Sequence, residues 1–256
     1  MKRAILNGLS LFKPILMFLF EIESSIAKKW VSSAHKRLMF VSWAIPKNPE
    51  YFDHQIDLFY QWQKNRISFW LERGVFGSVA LKRKGDVLEL ACGDGFNARN
   101  FYSGLASKVL ACDFDKSAIS LAKRKNPAAN VTYVLADIRN NMPSGEYDNV
   151  IWDGAIEHFT PEEILVIVPN IKRRLKSDGI LSGYTIVGNQ NNKSLAQHEY
   201  EFKSMADLKK FFTPHFKNVI VFETIFPQRH NLYFLASDGI LPFSDKWEHW
   251  LKTDVN

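Results

Sequence analysis

Residues 87–96 read VLELACGDGF, and the fold is decided there. An apolar strand pattern ends at Cys92, Gly93 and Gly95 follow, and a helical pattern runs from Asn97 to Ser107. Strand, glycine turn and helix in that order form the setting of a ligand-binding loop. Glycine lets the backbone turn sharply and approach a ligand with no Cβ in the way. The helix N-terminus beyond favours a carboxylate or a phosphate. Glu89 lies on the strand itself, where a carboxylate suits an ammonium group and repels a pyrophosphate. The third glycine of a G-x-G-x-x-G dinucleotide loop is missing, because Ala98 holds that place when Gly93 is taken as the first. The loop suits a nucleoside bearing both a carboxylate and an ammonium group better than a nicotinamide dinucleotide.

Beyond Gly85, strand-like and helix-like segments alternate. Strands are predicted at 87–92, 108–113, 131–136, 149–152, 180–186, 219–224 and 232–236, and helices over 97–107, 117–125, 161–175 and 204–212. Pro161 in a first helical turn and Gly179 just after a helix punctuate the pattern. This alternation implies an α/β fold with a parallel sheet covered on both faces. Ligands of such sheets bind at the carboxyl ends of the strands. Asp113 ends the second strand, 20 residues after Gly93, the offset at which an acid accepts hydrogen bonds from ribose hydroxyls. Phe114 beside it is placed to lie against a base, and Asp137 after the third strand to accept from an exocyclic amine. Asp115 and Ser117 read as helix caps. Cys92 and Cys112 fall in apolar runs and read as small buried hydrophobes. Two thiols fit a reducing compartment and cannot form a disulfide framework for a chain of this size.

Five segments in succession resemble the ordered motifs of the class I S-adenosylmethionine-dependent methyltransferases. They are ELACGDG (89–95), CDFDKSAISLAK (112–123), ADI (136–138), YDNVIWDGAIEHF (147–159) and LKSDGIL (175–181). The resemblance covers residues 85–187 and reaches about 240 through the strand at 231–237. It implies a Rossmann-like, seven-stranded, mostly parallel sheet with an antiparallel last strand, preceded here by an N-terminal helical segment. It further implies that Glu89 and the backbone of Ala91, Cys92, Gly93 and Gly95 hold the methionine part of S-adenosylmethionine. Asp113 would bind the ribose, Phe114, Asp137 and Ile138 would flank the adenine, and Asp153 would lie near the sulfonium. Ala91 stands where many members have glycine, and it keeps the position small.

Methyl transfer from a sulfonium is an in-line displacement, so the protein must align the acceptor and exclude water. An unactivated hydroxyl also gains from a base, for which His158, after the fourth strand, is the candidate. A Glu-His pair is common at this place in the resembling family without a catalytic role, so a structural role stands beside it. His198, Glu199 and Tyr200 form a second polar cluster, and Arg229 and His230 are candidates for an anionic acceptor, each also readable as a surface residue. The Asn/Asp-Pro-Pro-aromatic tetrapeptide of many amino-group methylases is absent, with Trp152-Asp153-Gly154-Ala155 in its place. This favours a small-molecule, glycan or lipid-linked acceptor, and O-methylation of a hydroxyl is expected ahead of transfer to an amine. The seven histidines are dispersed without a zinc-type pairing, so no metal site is expected. Two other readings compete: a cofactor-binding module without catalysis, and an NAD-linked oxidoreductase, which Glu89 and the missing glycine disfavour.

The chain has 256 residues, 46% apolar and 23% charged, a composition that excludes wholesale disorder and suits one sizeable domain with an addition. Its net charge is +6, and residues 1–50 hold eight basic residues against three acids. Nearly all the excess thus lies on the N-terminal appendage, which argues against a nucleic-acid substrate. There the apolar run 15–20 is followed by Lys28, Lys29, Lys36 and Arg37. This is the make-up of a membrane-surface segment, or of a helix packed on the domain. Lys13 and Pro14 break a spanning helix, and a signal peptide is the weaker alternative. The expected organisation is a basic, apolar helical appendage at 1–50, a helical cap or lid at 51–84, the S-adenosylmethionine-binding domain at 85–240 and a tail helix at 241–256. The helix of the cap is expected over 51–72, with a break at Gly74 and Gly77. The expected location is the cytoplasm, or the inner face of a membrane.

Overall fold

The computed structural model describes residues 12–44, 62, 66, 68–188, 197–226 and 229–242. The chain divides into two units, Met1–Arg66 and Ile67–Asn256.

In the first unit, helix α1 spans Lys13–Ala44. Pro14 lies in its opening turn, where a missing backbone N–H leaves no bond unmade. Residues 15–20 are consecutive and apolar, so they surround the helix instead of lining one face. The cations Lys28, Lys29, Lys36 and Arg37 all follow that run. Large apolar residues continue among these cations, and Ile15, Phe18, Phe20, Trp30 and Phe40 are exposed. Among the described residues, no helix is long and apolar enough to cross a membrane.

The second unit is built on seven strands: β1 (Asp86–Leu90), β2 (Lys108–Asp113), β3 (Val131–Leu135), β4 (Tyr147–Asp153), β5 (Leu175–Ile186), β6 (Asn218–Phe226) and β7 (Arg229–Ser237). Their order is β3-β2-β1-β4-β5-β7-β6, with β3 to β5 parallel and β7 antiparallel to both β5 and β6. This is the expected sheet. Its helices are α2 (Phe69–Val79), α3 (Lys116–Lys125), α4 (Pro161–Arg174) and the short α5 (Met205–Lys209). Two helix starts follow directly from sequence. Asp115 caps α3 by accepting from the Ser117 N–H (2.7 Å). Thr160 and Glu163 form a reciprocal capping box before Pro161 on α4. Val87, Leu88 and Leu90 of β1 and Val150, Ile151 and Trp152 of β4 are fully buried, as strands covered on both faces require. Cys112 is buried too, and burial pushes its thiol up to about 12, in line with a structural role.

Four expectations are corrected. Gly74 and Gly77 do not break the chain but lie inside α2. A Cβ at Gly74 would fall 2.3 Å from the ring of Phe101, and one at Gly77 would fall 2.9 Å from the hydroxyl of Tyr102, so packing demands glycine there. The helix expected over 97–107 shrinks to a π-turn at Ala98–Tyr102, closed by the Ser103 N–H donating to the Ala98 carbonyl. The extra residue in that turn carries Phe101 and Tyr102 under α2. Gly179 does not follow a helix end directly: α4 stops at Arg174, β5 begins at Leu175, and its register shifts before Ile180. Lys176 Nζ to Asp148 Oδ2 and Ser237 Oγ to the Gly179 carbonyl hold that irregularity in place. Finally, the helix expected over 204–212 is regular only at Met205–Lys209 and continues as turns. Most of the helix expected over 51–72, and the tail 243–256 with Trp247 and Trp250, lie outside the described residues.

Candidate active site at the carboxyl ends of the strands

The loop after β1 turns through three left-handed residues: Ala91 (φ 53°), Gly93 (φ 55°) and Gly95 (φ 73°). A Cβ on Gly95 would stand 2.5 Å from the ring of Tyr133. Ala91 occupies the same conformational region with a side chain, at a cost of about 1–2 kcal/mol. The Cys92 N–H donates to the Cys112 carbonyl (2.9 Å), which ties the loop to β2.

At the end of β2, Asp113 is buried and accepts from the Gly93 N–H through Oδ2 and from the Asp115 N–H through Oδ1, both at 2.9 Å. Burial raises its carboxyl, while these two N–H groups pull it back. The two loops that frame the cleft are thus joined by one carboxylate. Phe114 beside it is a large aromatic ring left 67% exposed. After β3, Ile138 is buried, and Asp137 is gripped by Arg139 in a two-pronged contact at 2.8–3.1 Å.

Glu89 is 3% exposed, and its Oε2 is buried without a hydrogen-bond partner. Burial, then the carboxylates of Asp153 and Asp94, push its carboxyl well above the ordinary range; Arg73 opposes them and Asp113 adds to them. A buried acid with an unpaired oxygen is costly, and a cationic group is the ligand that removes the cost. Asp153, at the end of β4, is satisfied. Arg73 of α2 donates to its Oδ2 at 2.6 Å and 2.9 Å, and Asn97 Nδ2 donates at 2.9 Å. Burial works against the charge on Arg73, yet Asp153 outweighs it and holds the guanidinium firmly protonated. Arg73 also lies over the Tyr184 ring at 4.5 Å.

Past β4 the chain makes a short turn at Ile156–His158. Glu157 is buried and accepts from Thr185 Oγ1 (2.9 Å). His158 is partly exposed, with Nδ1 3.1 Å from the Gln197 carbonyl. His198, 1% exposed, lies against it, ring centroids 5.1 Å apart, with its own Nδ1 3.2 Å from Glu201 Oε1. One donor atom from each of Glu157, His158 and His198 falls within 4.8 Å of the other two. The expectation that the histidines are dispersed is therefore corrected. Sequence spacing could not pair residues 158 and 198, whereas the parallel sheet brings the segment after β5 back over the turn after β4. The Glu199 and Tyr200 N–H groups donating to the Glu157 carbonyl fasten it there.

Two more groups bear on the cleft without having been singled out in the sequence. Arg73 falls between the end of the helix expected over 51–72 and the break expected at Gly74, and belongs to no motif. Glu72 accepts from Tyr233 Oη and Thr224 Oγ1 at 2.5 Å, a cluster drawn from three distant segments. Arg229 and His230 lie at the start of β7, where Arg229 donates to Tyr184 Oη and His230 Nε2 meets Glu223 at 2.7 Å.

Residues 87–179 match the family model for a methyltransferase domain. No curated protein sequence matches the chain significantly. Similar solved structures include DhpI in complex with S-adenosylhomocysteine, at 23% identity over 60% of this chain and 76% of that one, TM-score 0.52. They include the N-methyltransferase NodS of Bradyrhizobium japonicum, at 12% identity over 67% and 97%, TM-score 0.56. A third is phosphoethanolamine N-methyltransferase 2 of Haemonchus contortus with phosphomonomethylethanolamine and S-adenosylhomocysteine, at 18% identity over 62% and 50%, TM-score 0.52. At these identities the likeness is one of fold.

Proposed function

We propose that this chain, whose residues 87–179 form a methyltransferase domain of the class I S-adenosylmethionine-dependent fold, methylates a hydroxyl of a small-molecule, glycan or lipid-linked acceptor. The observation that carries the cofactor assignment is the unpartnered oxygen of buried Glu89 at the head of a left-handed loop. S-adenosylmethionine, when bound, supplies an electrophilic methyl group on a sulfonium. Glu89 receives the ammonium group, and the backbone from Ala91 to Gly95, with Cys92 between them, lies along the methionine part. Asp113 accepts from the ribose hydroxyls. Phe114, Ile138 and Asp137 flank the adenine, the last while sharing its oxygens with Arg139. Asp153, held by Arg73, sets a negative charge at the end of β4 on the sulfonium side.

His158 is the proton acceptor for the acceptor hydroxyl. Its Nδ1 faces a carbonyl, so that nitrogen carries the hydrogen and Nε2 keeps its lone pair. The methyl carbon's bond to sulfur breaks as its bond to oxygen forms, and the hydroxyl proton passes to the base. An amine acceptor is the second reading, favoured by the N-methyltransferase neighbours. For α1 we propose contact with an anionic lipid surface through its exposed apolar residues and its cations Lys28, Lys29, Lys36 and Arg37. Flotation with vesicles containing anionic lipid should carry the full chain upward, and equal recovery with neutral vesicles would refute this.

The test of the cofactor site is calorimetric titration of S-adenosylmethionine and S-adenosylhomocysteine into the wild type and Asp113→Ala. Micromolar binding weakened by the substitution is expected. No binding by folded wild type would sink the methyltransferase reading, and a panel of hydroxyl and amine acceptors would then separate O- from N-transfer if binding holds.

A further inference from the structure

We infer that Glu157, His158 and His198 form a binding site for a divalent transition metal of the zinc class, next to the methyl-transfer cleft. Three independent features lead to it. Two imidazoles and one carboxylate, the donor set of many catalytic zinc sites, place one donor atom each within 4.8 Å of the others. Two of the three are nearly inaccessible, Glu157 at 5% and His198 at 1%, so this is not a chance surface cluster. The tautomers are also set. His158 Nδ1 meets the Gln197 carbonyl and His198 Nδ1 meets Glu201 Oε1. Each Nδ1 must carry its hydrogen, which leaves both Nε2 lone pairs free. No hydrogen bond to either Nε2 exists among the described residues.

A carboxylate behind a histidine is the usual support of a metal-bound imidazole, because it fixes the ring and raises its basicity; Glu201 stands in that relation to His198. Donor atoms in a tetrahedral zinc set lie about 3.4 Å apart, so binding requires the three to draw together by rotamer adjustment. His158 is the partly exposed member and gives the site its open side. Three protein donors leave a further position for an acceptor oxygen.

The site's chemical role rests on the methyltransferase reading. A cation there would hold the acceptor hydroxyl and lower its pKa, so that its proton leaves to water. The oxygen then takes the methyl group with no change in oxidation state. An imidazole that ligates through Nε2 cannot also accept that proton. The loaded protein would therefore activate its acceptor through the cation, and His158 would act as a base only without metal.

The site is tested on the full chain, stripped by chelator, with no S-adenosylmethionine or acceptor present. Zn²⁺ is titrated by calorimetry, and Co²⁺ is followed by its visible absorption. One equivalent of either metal is expected to bind at micromolar or lower concentration. His158→Ala and His198→Ala should each weaken it by about 100-fold or more, and Glu201→Gln by about 10- to 100-fold. Circular dichroism of each variant checks the fold. Absence of stoichiometric binding by folded wild type, or binding that both histidine substitutions leave unchanged, would overturn the proposal. Binding of Mg²⁺ alone would overturn the zinc-class assignment. S-adenosylmethionine binding in the same preparation reports on the cofactor site separately, so the two failures are distinguishable.

Discussion

The ends of β1 and β4 lie side by side in the sheet, and each presents a buried carboxylate to the same cleft, but in opposite states. Glu89 on β1 has an oxygen with no partner. Asp153 on β4 is held by a guanidinium and an amide. Under the proposed function the first awaits a charge that arrives with the ligand; the second carries its counter-charge within the fold. An unpaired buried carboxylate destabilises the ligand-free protein and strengthens its grip on a cation, whereas the paired one ties α2 to the sheet and positions Arg73.

Breaking the paired side should have the largest effect. Arg73→Ala leaves Asp153 buried with only Asn97, and a loss of about 3–5 kcal/mol in urea unfolding is expected. Arg73→Ala with Asp153→Asn should recover part of it, and an unchanged midpoint in the single variant would show that the pair does not anchor α2. Asp113→Ala removes the acceptor that joins the two framing loops, and it should weaken S-adenosylmethionine about 10- to 100-fold in calorimetry.

Glu89→Gln sharpens the contrast through pH. The folded-state carboxyl is raised above its ordinary value of 4.5, so the folded chain holds that proton more tightly than the unfolded chain. The stability it contributes is complete below about 4.5 and is lost as pH rises toward the raised value. In ligand-free protein at neutral pH, Glu89→Gln should therefore match or exceed the wild type by about 1–2 kcal/mol while binding S-adenosylmethionine more weakly. A wild-type urea midpoint that does not fall with pH relative to this variant would contradict the unpaired state. The smallest effect is expected for Ala91→Gly. Relief of left-handed strain is offset by the greater freedom of glycine in the unfolded chain, leaving a change of less than about 1 kcal/mol in thermal unfolding.

The legible parts are those whose cause is local. The β1 loop could be found because turn, close approach and helix start each demand particular residues within ten positions. Asp115 before α3 and Pro161 opening α4 announce themselves in the same way. Gly74 and Gly77 were misleading because glycine signals a break and a close contact with the same letter. Only the Phe101 and Tyr102 side chains beneath them show which it is. Arg73 and Glu72 carry no local mark at all, and His198 stands out only as one member of a polar cluster, with nothing nearby in the chain to pair it with His158.

The sequence by itself therefore determined the order of strands and helices, the glycine loop and the acids at the ends of β1 and β2. Backbone conformation and strand periodicity impose their demands over a few residues. Tertiary structure alone decided which charges are paired, that α2 runs unbroken over the π-turn, and that His158 and His198 meet with Glu157. Those outcomes depend on distance in space between segments far apart in the chain, and sheet pairing sets that distance.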